Sequence, residues 1–311
     1  MTEPVSYTPE EVAKSLKISR FTVYEMIKRG DLAAYHIGRK VRVESSDLEA
    51  YIKKGKTSSP AAQETSASPA EAPSPQQDGL FICGQDVVLD ILTRHLEKKT
   101  PHTRFLRNYI GSIDGLLALY RGSANVVTAH LWDSATDTYN IPYVRHLLPG
   151  HRAVIINLVY RTEGFYVARG NPKAIGAWQD LSRPGVRFVN RERGSGARVL
   201  LDEKLRQLDI GHETIRGYDH EEMSHLAVAS CVARGEADVG LGAEKAASQF
   251  RDIDFLPLQK ERYDLVIRRE DADKPQFKAL LAVLRSAAFK SELSGMGGYD
   301  LTQTGEIIAE T

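Results

Sequence analysis

Between residues 78 and 268 short apolar runs alternate with stretches of helical spacing. "GLFICGQD" is an apolar strand that ends at a glycine turn, and "VVLDILTRHLEKK" after it repeats apolar residues as one face of a helix does. The plan recurs in "RFLRNYIGSIDGLLALYRG" and again in "ANVVTAHLWD" with "NIPYVRHLL". Strand, polar loop and helix three times over predict a parallel sheet with helices on both faces. "RAVIINLVYRTEGFYVARGNP" then offers two successive β-rich runs with no helix between them. "VRFVNRERGSGARVLLDEKL", "HLAVASCVARGEADVGLG" and "DFLPLQKERYDLVIRRE" predict a second α/β unit and a strand that returns to the first. The helix "PQFKALLAVLRSAAF" packs on the first unit. The expected body is α/β and two-lobed over 78–311, with one lobe at about 78–162 and 264–311 and the other at about 163–263.

The first 56 residues follow a different plan. "YTPEEVAKSLK" places Thr8 as N-cap, Pro9 at the first helical position and Glu11 three residues after the cap, with Val12, Ala13 and Leu16 on one face. Ser19 caps a second helix whose apolar side is Val23, Met26 and Ile27, and Gly30 stops it. Two short strands around Gly38-Arg39-Lys40 and a last helix carrying Leu48, Tyr51 and Ile52 complete the head. Helix, turn, helix, basic hairpin and helix present one helix to a groove. Its outward residues Arg20, Phe21, Thr22, Tyr24 and Lys28 suit a DNA major groove, while Arg39, Lys40 and Arg42 suit phosphate or the adjacent minor groove.

Charge sharpens this picture locally. The whole chain is neutral, with 41 Lys+Arg and 41 Asp+Glu, but Lys14 to Arg42 holds 8 basic residues against 2 acidic ones. A short cationic surface therefore sits on a neutral protein. "TSSPAAQETSASPAEAPSPQQ", 57–77, cannot build a core and is expected to be a disordered tether with an r.m.s. reach of roughly 25 Å. Cys83 and Cys231 stand far apart without ligand spacing, so neither a disulfide framework nor a zinc site is suggested. The chain opens with acids and prolines in place of an export signal and holds no run of about 18 apolar residues, which predicts a soluble cytoplasmic protein without membrane contact.

Ligands of open α/β sheets bind beyond the carboxyl ends of the strands. The predicted strand ends carry Gln85 and Asp86; Ser112 and Asp114; His130 and Trp132; Arg193, Gly194, Ser195 and Gly196; and Ser224 with His225. "RERGSGAR" falls at a strand-to-helix turn, where free N–H groups and the helix dipole favour an anion, with Arg193 or Arg198 adding charge. Ser112 opens an opposing helix from the first lobe. An anion held between the two helix ends would draw the lobes together. No nucleophile elbow, metal-ligand cluster or Walker sequence is present, so an enzyme, a catalytic residue, a metal or a bound cofactor is not expected.

The head resembles the excisionase-type branch of the MerR-like winged helix-turn-helix family over "YTPEEVAKSLKISRFTVYEMIKRGDLAAYHIGRKVRVESSDLEAYI". The body, through "GSIDGLLALYRGSANVVTAHLWD", "VNRERGSGAR", "SHLAVASCVARGEADVGLG" and "YDLVI", is similar to the periplasmic-binding-protein-like domain of cytoplasmic regulators related to molybdate-binding proteins. That resemblance implies a type II binding-protein fold, molybdate or tungstate as ligand, and Ser112, Asp114, His130, Arg193, Ser195 and His225 as contacts. The arginines, two histidines and Trp132 depart from a bare-oxyanion site, and Asp86 offers a carboxylate, which leaves a larger organic anion or a cofactor derivative as the alternative. Together the two halves imply a one-component transcription regulator acting on double-stranded DNA, a homodimer or higher assembly responding to a small anion. A ligand-independent architectural DNA-binding protein and an enzyme on a binding-protein fold are the other classes weighed.

Overall fold

A computed structural model describes residues 6–16, 23, 26–27, 32–37, 40–48, 51 and 79–311. The chain divides into two compact units, Met1–Ala72 and Pro73–Thr311. In the first, strand β1 (Ser6–Tyr7) leads into a helix over Pro9–Leu16, and β2 (Tyr35–Ile37) and β3 (Lys40–Glu44) follow. The sheet order is β1-β3-β2, antiparallel throughout, so the basic hairpin gains a third strand that the sequence pattern did not indicate. The helix start is a reciprocal cap: Thr8 N–H donates to the Glu11 carboxylate at 2.7 Å and Glu11 N–H donates to Thr8 Oγ1 at 3.3 Å. Val12, Val23, Met26, Leu32, Val43 and Leu48 form the buried core beneath.

The second unit is built on one curled sheet. Its strands are β4 (Gly79–Cys83), β5 (Arg104–Asn108), β6 (Val126–Ala129), β9 (Ala153–Ala168), β10 (Phe188–Arg191), β11 (Glu221–Glu222), β12 (Val239–Ala243), β13 (Ile253–Arg268) and β14 (Ile307–Glu310), with β7 (Trp132–Asp133) and β8 (Thr138–Tyr139) as a separate hairpin. The order is β11-β10-β12-β9-β13-β6-β4-β5, with β14 added on β9. β4 runs parallel to β5 and β6 in the first lobe, and β10 runs parallel to β11 and β12 in the second. Helices cover both faces of each lobe and give four buried clusters. Leu80, Ile82, Ile156 and Leu265 face the helices Val88–Lys99 and Pro275–Leu284, while Cys83, Val127, Ile155 and Val266 face Ser112–Tyr120. Burial on both faces is why these strands are continuous apolar runs without alternation.

β9 joins the two expected β-rich runs into one strand, and β13 returns to the first unit as expected. Each is one strand of 16 residues, roughly 50 Å long and able to span both lobes, and they pair antiparallel from Ile253↔Ala168 to Arg268↔Ala153. The stretch "RTEG" in β9 has a turn's composition, yet it is polar because the strand leaves one core there before entering the other. Its register partner slips twice, between Pro257 and Gln259 and between Tyr263 and Asp264, bracketing the crossing. Gly164 marks close approach: a Cβ there would lie 2.3 Å from the Leu256 carbonyl and 2.6 Å from the Phe255 ring.

Gly164→Ala is expected to lower the stability of the chain by about 2–3 kcal/mol, since a backbone carbonyl cannot move aside. Gly176→Ala, with nothing within 4 Å of its added methyl, should lie within about 1 kcal/mol of the parent. Urea unfolding followed by the fluorescence of Trp132 and Trp178, both packed in the second lobe, measures the difference.

Candidate functional site

The strand ends of the two lobes meet in a cavity of about 20 Å³, lined from the first lobe by Gly84, Gln85, Asp86, Ile110, Gly111, Ser112, Thr128 and His130, from the second by Arg191, Ser195 and His225, and from the crossing ribbon by Arg161 and Tyr263. That volume admits about one water-sized group. Two helix N-termini abut here. Ile113 N–H, in the first turn after Ser112, donates to the Gly194 carbonyl at 3.0 Å, and Gly194 takes φ +85° to present it. Ser195 caps the helix Gly196–Gln207 by accepting from Arg198 N–H at 3.3 Å. The Gly196 Cα lies so near His130 that a Cβ would fall 2.4 Å from its ring.

Two arginines cross the cleft. Arg191 grips Glu192 with Nε and Nη2, both at 2.7 Å, and Nη2 also donates to Gln85 Oε1 at 2.7 Å; Gln85 returns a bond from Nε2 to Glu192 at 3.3 Å. Arg161, at 5 % exposure, pairs with Glu261 opposite it on β13 and with Asp86, and its guanidinium lies 4.3 Å from the Tyr263 ring centroid. Asp86 also accepts from Val88 N–H at 2.8 Å and from Tyr299 Oη at 2.7 Å, so the carboxylate caps its own helix while neutralising Arg161.

The hydrogen bonds assign both histidines. His130 Nδ1 is 2.9 Å from Glu261 Oε2 and 3.4 Å from Arg161 Nη2; the shorter contact favours a proton on Nδ1, which leaves Nε2 as an acceptor. His225 Nδ1 accepts from Ala243 N–H at 3.3 Å, which puts its hydrogen on Nε2. Burial lowers the pKa of His130 in spite of Glu261, and burial followed by the charges of Arg191 and Arg161 lowers that of His225 well below 6.5. Both rings are neutral at neutral pH. Burial alone would raise the Glu261 carboxyl, but Arg161 and His130 override it and bring it down to about 2. Glu163, wholly buried on the same face of β9 as Arg161, is pushed up by burial and by Glu261, and among the described residues neither of its oxygens has a hydrogen-bond partner.

Of the residues expected from sequence, Gln85, Asp86, Ser112, His130, Ser195 and His225 line this cavity, Gly194 and Gly196 flank it, and Ser224 caps the helix His225–Ala233 through Ala227 N–H at 3.0 Å. Four are placed elsewhere. Asp114 is exposed on the helix Ser112–Tyr120. Trp132 is buried in the second lobe's core with Nε1 donating to Asp137 at 3.0 Å. Arg193, its side chain 76 % exposed, pairs with Asp219 and Glu221. Arg198 is buried against Asp202 and Glu221 and stacks 4.1 Å from the Tyr218 ring centroid. Arg161, Glu163, Glu261 and Tyr263 were missed, although charges inside the β runs "VYRTEG" and "QKERYD" were a usable signal. In the head, Arg20, Phe21, Thr22, Tyr24, Lys28 and Arg39 lie outside the described residues; Lys40 opens β3, and Arg42, opposite Tyr35, reaches the Ser6 carbonyl at 3.5 Å.

Two lobes that close strand-end loops and helix N-termini across a crossing ribbon define a periplasmic-binding-protein-like domain, here in one chain with a helix-turn-helix domain. The PBP superfamily domain matches residues 93–285, a helix-turn-helix domain matches residues 6–56, and the chain belongs to the PBP superfamily domain family. It is 43% identical over 312 residues to "Uncharacterized protein YvgK" of Bacillus subtilis (strain 168), covering 100% of each chain. A Clostridium pasteurianum protein described by its place in the 5' region of a 2Fe-2S ferredoxin gene is 56% identical over 112 residues, 36% of this chain and 99% of that one. Among solved structures, EhuB in complex with hydroxyectoine aligns with a TM-score of 0.52 at 11% identity over 72% of this chain and 90% of that one. The regulatory domain of MetR, a LysR family regulator from N. meningitidis, aligns with a TM-score of 0.52 at 12% identity over 71% and 98%. Those likenesses establish the fold. Among the described residues, no group of three or more His, Cys, Asp or Glu side chains could hold a metal ion, and no helix is long and apolar enough to cross a membrane.

Arg161→Leu strands Glu261 and Asp86 as buried carboxylates, and its stability is expected to fall by about 3–5 kcal/mol in urea titrations. The histidines set a pH dependence of definite sign. Their folded pKa values are depressed, so the stability they confer is complete above about pH 6.5 and declines as protons bind the unfolded chain below it. His225→Asn, which keeps an acceptor for Ala243 N–H, should flatten the fall in urea midpoint below about pH 6.5.

Proposed function

We propose that this protein is a one-component DNA-binding transcription regulator whose cleft senses a small molecule carrying an anionic group. The observation that supports it most is the convergence of two opposed helix N-termini, at Ser112 and Ser195, with Arg191 on one interlobe cavity. First-turn amides have no intrahelical acceptor and favour negative charge. An anion bridging them would bind the closed lobes better than open ones, and that difference in affinity is what shifts a conformational equilibrium. Molybdate and tungstate, the ligands implied by the family resemblance, would use the Ser112 and Ser195 hydroxyls with these amides. The second reading, an organic anion, is favoured by the Arg161–Asp86 pair in the cavity wall, which leaves no net positive charge there to hold a compact dianion.

In this reading Arg20, Phe21, Thr22, Tyr24 and Lys28 approach the major groove, and Arg39, Lys40 and Arg42 approach phosphates or the minor groove. One such head covers few base pairs, so the working form is a dimer or larger, with 57–77 as the tether between head and sensor. DNA as partner places the protein in the cytoplasm, and the sensor binds its ligand without transforming it.

An operator selected from a random DNA pool by the full chain tests the docking. Lys40→Ala should weaken binding to all sequences and reduce the slope of log affinity against log salt by about 1, whereas Arg20→Ala should relax sequence preference. An Arg20→Ala protein with unchanged footprint and preference would show that this helix does not read the bases.

A further inference from the structure

The inner cavity adjoins a second chamber at the cleft mouth. Gln85, Asp86 and His225 line both, and the outer chamber has a volume of about 390 Å³. The two sizes divide the work of recognition. The inner cavity, at about 20 Å³, admits one water-sized group, whereas a tetrahedral oxyanion carries four oxygens and needs several times that room. The outer chamber falls within the range of about 300–1,000 Å³ typical of small-molecule sites. In this closed arrangement a ligand therefore places a terminal atom inside and its bulk outside.

The chemistry of the walls changes along the same path. Inside, the wall carries the Ser112 and Ser195 hydroxyls and the Arg191 guanidinium, which Glu192 and Gln85 engage, and Asp86 with Arg161 leaves it mixed in sign. Outside, Val87 and Tyr109 of the first lobe face the same chamber as Leu226 and Ala246 of the second. Val87, Tyr109 and Leu226 are 40 %, 59 % and 43 % exposed, an unusual concentration of open apolar surface around one concavity. The Tyr109 ring is held by the Arg107 guanidinium 5.0 Å from its centroid, which fixes an aromatic surface suited to stacking.

Resting on the cleft-binding reading above, we infer that the effector is an organic anion with a planar apolar body. A terminal oxygen of its anionic group enters the inner cavity to meet Ser112, Ser195 and Arg191, and the body fills the outer chamber against Tyr109, Val87 and Leu226. The protein thus selects for an aryl or heteroaryl carboxylate or phosphate over a bare inorganic oxyanion.

Calorimetric titration of the full chain with benzoate, nicotinate and phenyl phosphate, against acetate, inorganic phosphate and molybdate, tests this. At least one aryl anion is expected to bind tenfold or more tighter than every small anion. Tyr109→Ala, a change at an exposed position that the fold tolerates, should weaken the aryl anion at least fivefold and leave acetate and phosphate unchanged; Leu226→Ala should act in the same direction, and Ser195→Ala should weaken both groups. If molybdate or phosphate binds tightest and Tyr109→Ala has no effect, the organic-anion inference is overturned while the anion-sensing cleft stands. If no probe binds at millimolar concentration, the cleft reading itself fails and this inference falls with it.

Discussion

Arg161 is buried at the place where one strand leaves the core of one lobe for that of the other, and a charge in that position must be matched. Glu261 meets it from the neighbouring strand and Asp86 from the first lobe's leading loop, with Tyr263 under the guanidinium. Such a network costs desolvation and contributes little net stability compared with apolar packing. Its consequence is geometric. Glu261 fixes the His130 tautomer, Asp86 starts the helix Val88–Lys99 and receives the Tyr299 hydroxyl, and the loops that carry Gln85 and Ser112 are held over the cavity.

Closure is written in direct bonds between lobes: Ile113 to Gly194 and Arg191 to Gln85. In the proposed sensor, a ligand that adds its own oxygen here would stabilise the arrangement already favoured by the backbone. The carboxylates set a limit on that ligand's charge. Glu192 occupies Arg191 and Asp86 occupies Arg161, so neither guanidinium meets an incoming anion as an unneutralised cation, and selectivity shifts from charge toward shape and hydrogen-bond count. The neutral histidines work in the same direction.

Much of this fold was legible because strand and helix periods differ and because strands buried on both faces are continuously apolar. The loops at Gln85, Ser112, His130, Ser195 and His225 could be placed at one end of the sheet from that pattern alone. What escaped was decided by partners distant in sequence. Arg193 lies in the loop and Arg198 in the first turn of the helix after it, but Asp219 and Glu221 claim the one and Asp202 and Glu221 the other. Trp132 follows a strand that ends at the cleft, but the short β7–β8 hairpin delivers it to the second lobe's apolar cluster. "RTEG" has the composition of a turn, while its actual constraint, a strand crossing between two cores opposite a bulge, exists only in three dimensions.

In the proposed regulator, occupancy of the cleft changes the grip on DNA. Fluorescence anisotropy of a labelled operator with the full chain, at fixed salt and with each anion that calorimetry shows to bind, measures the coupling directly. A shift in operator affinity of about fivefold or more is expected with the bound anion, abolished by Ser195→Ala at the same anion concentration. An anion that binds the cleft and leaves operator affinity unchanged would contradict it.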